Sequence, residues 1–210
     1  METNTHIMPP GIIYRNILLY RLAMNLLYSF SYKERFRKVT SYITGKSVNE
    51  LCFGDLFIAS FCKKNNICWT GFEVNKTFVR RAIRNNFRAQ QIDLKNQEIT
   101  LPPADTNIIT GSLYHFHEQP EKILNALFTT ANRIIISEPV KNISAKKNLW
   151  GRLAAKVSDA GNGPEEFRYI ENDLLKTIEV SGKKFNFTTY KTEHFKKDII
   201  IVLDKCQPPK

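Results

Sequence analysis

One glycine and one acid, at a spacing typical of nucleotide-binding folds, are the residues of this sequence best suited to bind a ligand. Gly54 follows a short apolar segment and Glu73 ends the next one, 19 positions further along the chain. About 20 residues separate the first strand-to-helix turn of a dinucleotide-binding fold from the acid that binds ribose hydroxyls. A carboxylate there can accept two hydroxyl hydrogen bonds at once. The spacing therefore predicts a ligand that contains adenosine.

The turn around Gly54 lacks the other glycines that a pyrophosphate ligand requires. Dinucleotide sites need G-x-G-x-x-G and P-loops need G-x-x-x-x-G-K-[ST], because the backbone must approach the phosphates closely. Here Cys52 and Leu56 flank Gly54, and no Lys-Ser or Lys-Thr pair follows. A pyrophosphate ligand is therefore disfavoured, whereas S-adenosylmethionine carries no phosphate and requires less of the turn.

On these residues the chain resembles the class I S-adenosylmethionine-dependent methyltransferases. Their first motif, acid-x-Gly-x-Gly-x-Gly, is matched in order by Glu50, Cys52, Gly54 and Leu56. The resemblance implies that S-adenosylmethionine is the cofactor. It also implies ten cofactor-binding residues: Glu50, Leu51, Cys52, Gly54, Asp55, Glu73, Val74, Asp93, Leu94 and Ser112.

Two further segments support the resemblance. In this family an acid and an apolar residue after the third strand lie against the adenine, a role that Asp93 and Leu94 fit; the alternative is an aspartate in a surface turn. The run that leaves the predicted fourth strand also resembles the family, through Asp105, Ser112, Leu113, His115 and Phe116.

The apolar segments predict an α/β fold that positions these residues. Strands are predicted to end at Glu73, to lie within Phe87–Leu94, to start at Ala104, and to span Arg133–Pro139, Lys184–Thr192 and Asp198–Leu203; helices are predicted over Lys76–Asn86 and Pro120–Ala131 and after Arg168. The resemblance, over roughly residues 48–205, implies a Rossmann-like, seven-stranded, mostly parallel sheet with one antiparallel C-terminal strand and helices on both faces. Val140 to Phe167 is interpreted as an insertion that shapes the acceptor pocket.

The N-terminal region, residues 1–46, is predicted to form a helical cap or lid on the methyltransferase domain of residues 47–210, within one globular unit. Its pattern is helical from Ile12 to Val39. Arg15 and Arg21 would each cost about 2.5 to 3.5 kcal/mol at a bilayer centre, so a membrane span is not expected. The helix either packs over the sheet, covers a lipophilic acceptor or lies on a membrane surface, which would make a peripheral membrane contact.

Methyl transfer from a sulfonium is an in-line displacement, so the protein mainly aligns the donor with the acceptor and excludes water. A general base is needed only when the acceptor arrives protonated. The candidates at the predicted sheet edge are Tyr114, His115 and Glu138. His115 could equally be part of the pocket wall. His115 and His117 lack a third spaced ligand, so no metal site is expected.

Composition limits the remaining choices. A chain of 210 residues suits one domain, and its four cysteines show no C-x-x-C spacing, which favours reduced thiols and a cytoplasmic location. No secretory signal is recognised at the N-terminus. The net charge of +11 is compatible with nucleic acid, but the basic residues are scattered in short pairs.

The function predicted from the sequence is methyl transfer to a small molecule with lipophilic character. The alternatives are an RNA methyltransferase and a non-catalytic module that kept the fold and lost the cofactor. The oligomeric state stays open.

Overall fold

The structure, a computed structural model, describes residues 16–140 and 167–206. The helices in those ranges are α1 (Ile17–Leu27), α2 (Tyr32–Thr40), α3 (Phe57–Lys64), α4 (Lys76–Arg84), α5 (Pro120–Thr129) and α6 (Glu171–Lys184). The strands are β1 (Ser47–Leu51), β2 (Cys68–Glu73), β3 (Arg88–Gln91), β4 (Ala104–Thr110), β5 (Ala131–Pro139), β6 (Phe187–Phe195) and β7 (Asp198–Lys205). A 3-10 turn, Leu113–Phe116, follows β4.

The seven strands form one sheet in the order β3-β2-β1-β4-β5-β7-β6. Neighbours from β3 to β5 are parallel, and β7 runs antiparallel to both β5 and β6. The predicted fold class, including one antiparallel C-terminal strand, is therefore confirmed. The chain moves outward from β1 to β3 and then returns to β4, so the strand order reverses between β1 and β4. Ligands of open α/β sheets bind at the carboxyl ends of the strands at such a reversal.

Each face of the sheet is covered by its own hydrophobic core. One core contains residues of α1 to α4, such as Tyr32 and Phe78, together with Val48 and Ile108 of the sheet. The other contains residues of α5 and α6 with the neighbouring positions of the same strands, such as Ile109. Adjacent strand residues enter opposite cores because side chains alternate along a strand.

The N-terminal helical pattern forms two helices instead of one. Residues 12–15 lie outside the described ranges, and α1 ends at Leu27, before Ser29 and Phe30 adopt left-handed backbone angles with φ of 48° and 63°. A left-handed residue breaks a right-handed helix, and apolar spacing alone does not reveal where this happens. The turn between α1 and α2 buries both Tyr28 and Tyr32, whose ring centroids lie 5.8 Å apart.

Several predicted boundaries differ from the structure by two or three residues, and the largest differences lie around β6. Helix α6 continues to Lys184, and Asn186 turns the chain with a positive φ of 60°, so β6 starts at Phe187. Strand β6 also extends through Phe195, which was predicted to lie in the following turn. The predicted insertion lies outside the described residues except at its ends.

Within the described ranges, no helix combines the length and the apolar character that crossing a bilayer requires.

Candidate functional site

The turn between β1 and α3 has the backbone shape of a glycine-rich loop although it holds one glycine. Cys52 and Gly54 both have left-handed φ angles, of 54° and 53°. Cys52 thus adopts the conformation for which the family motif uses its first glycine, at a strain cost of order 1–3 kcal/mol. A Cβ on Gly54 would lie 2.7 Å from the Tyr20 hydroxyl oxygen, so this position also has no room for a side chain. Leu56 has a negative φ and is buried, which explains why a glycine is unnecessary there.

Glu73 lies directly against this turn. One carboxylate oxygen accepts a hydrogen bond from the Gly54 N–H at 3.3 Å, and the other accepts from the Asn75 N–H at 2.8 Å. Burial raises the pKa of Glu73, and these backbone hydrogen bonds oppose the rise. The structure therefore brings together the glycine and the acid that spacing alone had paired.

The Cys52 thiol lies just after β1, at the edge of the sheet where the crevice between β1 and β4 is expected to bind a ligand. Burial is the main cause that raises its pKa, and the carboxylates of Glu73, Glu138 and Asp93 raise it further. A hydrogen bond with the Ser112 side chain opposes this effect. Glu73 ends β2 and Glu138 lies near the end of β5, whereas Asp93 follows β3 and Ser112 follows β4. Five of the predicted site residues thus converge at one edge of the sheet.

Asp93 is buried and caps a local turn. Its carboxylate accepts hydrogen bonds from the backbone N–H of Lys95 at 3.0 Å and from the Asn96 side chain at 2.9 Å. Asp93 therefore stabilises a turn, as the alternative interpretation had it, although it is buried and not on the surface. Its contact with an adenine stays a prediction. Leu94 beside it is buried in the core that contains α5 and α6.

Two predicted cofactor residues point away from the crevice. Glu50 shares the α1 to α4 side of the sheet with Val48, and one of its carboxyl oxygens accepts from Trp69 Nε1 at 2.8 Å. Its other oxygen has no partner among the described residues. Burial raises the pKa of Glu50 well above its usual value, and the Trp69 hydrogen bond opposes this rise.

Asp55 binds neighbouring helices instead. Its carboxylate accepts from Arg21 of α1 at 2.7 and 2.9 Å and from Arg81 of α4 at 2.9 Å. Burial opposes ionisation, but these hydrogen bonds and one from the Leu56 N–H outweigh it and lower the pKa of Asp55. Of the remaining predicted residues, Leu51 is buried in the core and Val74 is half-buried beside Glu73.

The three predicted catalytic residues lie together around the 3-10 turn. Glu138 is fully buried and accepts hydrogen bonds from the backbone N–H groups of Leu113 at 3.0 Å and Tyr114 at 3.1 Å. Burial raises the pKa of Glu138 to about 8, against the effect of those hydrogen bonds. The Tyr114 ring lies 4.1 Å from the His115 ring and 3.7 Å from the Arg168 guanidinium.

His115 is neutral at physiological pH in this environment. Burial, followed by the positive charges of Lys95 and Arg168 and by His117, lowers its pKa to about 3. An imidazole of such low basicity can still donate or accept a hydrogen bond. It removes a proton less readily than an imidazole whose pKa lies near 7.

Solved structures with the same architecture decide the fold. Magnesium protoporphyrin IX methyltransferase from Synechocystis PCC 6803, solved with bound SAM, matches with a TM-score of 0.56 and 14% identity, covering 89% of this chain and 82% of its own. Human N-acetylserotonin methyltransferase in complex with SAM matches with a TM-score of 0.63 and 15% identity, covering 93% and 58%. This chain has the class I methyltransferase fold.

A third structure with the methyltransferase fold comes from a complex between the Haloferax volcanii Trm112 methyltransferase activator and a putative methyltransferase. It matches with a TM-score of 0.68 and 7% identity, covering 95% of this chain and 100% of the other. No protein-family model matches the sequence, and no curated protein matches it.

Two residues that sequence reasoning missed connect the N-terminal helices to the edge of the methyltransferase fold. Tyr20 of α1 places its hydroxyl over Gly54, and the buried Arg35 of α2 lies where a Cβ on Gly111 would meet its guanidinium at 2.9 Å. Arg35 also donates to Asp198 of β7 at 2.5 Å. The sequence feature that could have identified Arg35 is its position as a charged residue within the apolar stripe that Tyr32, Phe36 and Val39 form on α2.

Proposed function

We propose that this chain is an S-adenosylmethionine-dependent methyltransferase that methylates a small molecule. The observation that carries the proposal is the convergence of Glu73, Asp93 and Ser112 on the left-handed turn at Cys52 and Gly54. Convergent polar groups in a crevice at the switch point of an α/β sheet are the usual form of a ligand site in such folds.

The residues present fit this cofactor. Each Glu73 oxygen accepts one backbone N–H and keeps acceptor capacity for a ribose hydroxyl. Hydroxyl donors would also favour the charged form of a carboxyl whose pKa burial has raised. Cys52 is the only residue that adds a side chain at a glycine position within the turn. Leu56, at the third glycine position, is packed in the core and leaves the turn open.

When bound, the cofactor supplies an electrophilic methyl group. The chain's own part is alignment and exclusion of water. Glu138 holds the 3-10 turn, and with it Tyr114 and His115, in place through two backbone hydrogen bonds. We assign neutral His115 to a hydrogen bond with the acceptor, because its lowered pKa disfavours proton removal. Tyr20 and α1 cover the turn, which supports a cap formed by residues 1–46 and a lipophilic acceptor.

Calorimetric titration with S-adenosylmethionine, S-adenosylhomocysteine and NAD tests the proposal. We expect micromolar binding of the first two and none of NAD, since the turn lacks the glycines that a pyrophosphate needs. Failure of all three ligands to bind would refute it and favour the non-catalytic module.

An RNA acceptor is the second candidate, because the outer surface of α4 and the start of β3 expose four cations: Lys76, Arg80, Arg84 and Arg88. Single-stranded RNA binding would weaken with salt by about 0.7 log units per log unit of salt for each neutralised phosphate. A filter-binding titration from low to physiological salt measures this slope. Tight binding that weakens steeply with salt would favour RNA over a small molecule.

A further inference from the structure

Lys197 is a largely desolvated cation at the same edge of the sheet as the crevice. It precedes β7, which starts at Asp198 opposite Pro139, the last residue of β5. The Lys197 carbonyl accepts a hydrogen bond from the Val140 N–H at 3.1 Å. Its ammonium nitrogen lies 4.2 Å from the centroid of the Tyr28 ring. Lys197 therefore projects toward the junction of α1 and α2, and Arg35 of α2 lies against Gly111 at the end of β4.

Among the described residues, no carboxylate pairs with the Lys197 ammonium. The neighbouring carboxylate of Asp198 is already used by three donors: Arg35 Nε at 2.5 Å, the Tyr28 hydroxyl at 2.9 Å and the Ser137 hydroxyl at 3.0 Å. The Arg35 guanidinium lies 4.9 Å from the same Tyr28 ring. The two cations therefore share one aromatic ring, and the nearby carboxylate of Asp198 pairs with Arg35.

In this arrangement the Lys197 ammonium lacks a negatively charged partner among the described residues. Removing an ammonium from water without a partner is costly, and a second cation nearby adds repulsion. Burial lowers the pKa of Lys197 to about 8; Asp198 opposes this change, and the charges of Arg35 and Arg168 add to it. An anion placed against the ammonium would relieve both the desolvation and the repulsion.

We propose that Lys197 binds a carboxylate of the methyl acceptor, so that the substrate is an organic acid. This inference rests on the proposed function, since it places the acceptor at the edge of the sheet beside the cofactor crevice. Tyr28 holds the ammonium in position, and the Arg35–Asp198 ion pair beside it keeps the Asp198 carboxylate bound to Arg35 and stabilises the fold. Lys197 is thus a specificity-determining residue that selects acids over their uncharged amides.

A matched pair of probes, benzoate and benzamide, tests the inference with the full chain saturated with S-adenosylhomocysteine. Protein labelled with ¹³C-lysine reports the Lys197 Cε resonance, which is assigned by its loss in Lys197→Met. We expect benzoate to shift this resonance saturably and to raise its titration midpoint, whereas benzamide does neither. Calorimetry should give at least tenfold weaker benzoate binding in Lys197→Met and near-normal binding in Lys197→Arg.

Lys196 provides the matched control, because it lies in the same turn and is exposed. Lys196→Met should bind benzoate like the wild type. The inference is overturned if the Lys197 resonance does not respond to benzoate, if benzamide shifts it equally, or if both methionine variants bind benzoate equally well. Binding of S-adenosylhomocysteine is measured separately and should be unchanged in Lys197→Met. Its absence in the wild type would refute the cofactor proposal, whereas normal cofactor binding without a benzoate response would refute the acid site alone.

Discussion

Buried carboxyl groups dominate the chemistry of this site at the scale of single residues. Glu73 and Glu138 both have raised pKa values and accept two backbone hydrogen bonds each, which fix them in position. Asp55 has a lowered pKa because two arginines surround it. The environments of these three residues differ accordingly: Glu73 and Glu138 hold loops at the carboxyl edge of the sheet, and Asp55 holds α1 and α4 together.

Glu73→Ala should weaken binding of S-adenosylhomocysteine by about 1.5 to 3 kcal/mol, because it removes the charged acceptor of a hydroxyl pair. Calorimetry measures the change, and a melting curve shows whether the variant is folded. Glu98→Ala, at an exposed position, serves as the control and should keep the wild-type affinity. An unaltered affinity in Glu73→Ala would exclude the ribose assignment.

Glu138 should make the protein less stable as the pH rises. An acid whose folded-state pKa is raised to about 8 binds its proton more tightly in the folded state than in the unfolded state. Its contribution to the free energy of unfolding is complete below the unfolded value, near 4.5, and is lost as the pH rises toward 8. Glu138→Gln cannot titrate, so this dependence should flatten.

Urea denaturation at pH 5, 6.5 and 8 measures the effect of Glu138. The exposed Glu118→Gln is the control and should follow the wild-type pH dependence. Some dependence should remain in Glu138→Gln, because Glu50 and Glu73 also have raised pKa values. The same slope in Glu138→Gln and the wild type would contradict the assignment.

Helix α1 has two different sides at the scale of secondary-structure elements. Its inner side carries Tyr20 over the Gly54 turn and Arg21 on Asp55. Its outer side exposes a row of leucines at successive helical turns, Leu18 at 70%, Leu22 at 55% and Leu26 at 60%. Phe30 extends this row, and Lys33 and Arg37 are exposed on the following α2. An apolar stripe beside cations is typical of helices that lie on anionic membranes.

The outer leucines should therefore bind vesicles that contain anionic lipid. Replacing Leu18, Leu22 and Leu26 by serine should weaken partitioning at least a hundredfold, since a fully buried leucine contributes about 1.5–3 kcal/mol. Co-sedimentation with phosphatidylglycerol and phosphatidylcholine vesicles measures it. Ile83→Ser, a change at an isolated exposed residue of α4, is the control. Equal sedimentation of the triple variant and the wild type would contradict the membrane contact.

At the scale of the whole molecule, the N-terminal helices share a core with the sheet. Tyr28, Tyr32 and Phe36 belong to the same hydrophobic cluster as Val48 and Ile200. The buried Arg35–Asp198 pair connects α2 to β7 across 163 residues of sequence. We therefore expect the cap and the sheet to fold as one unit.

Asp198→Ala should lower the free energy of unfolding by about 3–5 kcal/mol, because it leaves the Arg35 charge buried without its partner. The double variant Arg35→Met, Asp198→Leu should be markedly more stable than Asp198→Ala, since it removes both charges. Urea denaturation followed by tryptophan fluorescence and by circular dichroism measures both variants. A double variant no more stable than Asp198→Ala would contradict this account.

The sequence by itself determined the succession of strands and helices along the chain and the meeting of Gly54 with Glu73. These two features depend on local periodicity and on a spacing set by one strand, one helix and a turn, so they are present in contiguous residues. The fold class was implied by the resemblance to the methyltransferases, and the structure supplied the order of the strands in the sheet. The left-handed angles at Ser29 and Phe30 were not visible, because neither residue type indicates a positive φ.

Only the tertiary structure decided which polar residues face the crevice and which hold the fold together. Glu50 matches the family motif, yet it contacts Trp69, and Asp55 binds Arg21 and Arg81. Arg35 was not singled out in the sequence, and the structure buries it against Asp198. The reason is physical: the partner of a side chain depends on packing between elements far apart in sequence, and no local pattern contains that information.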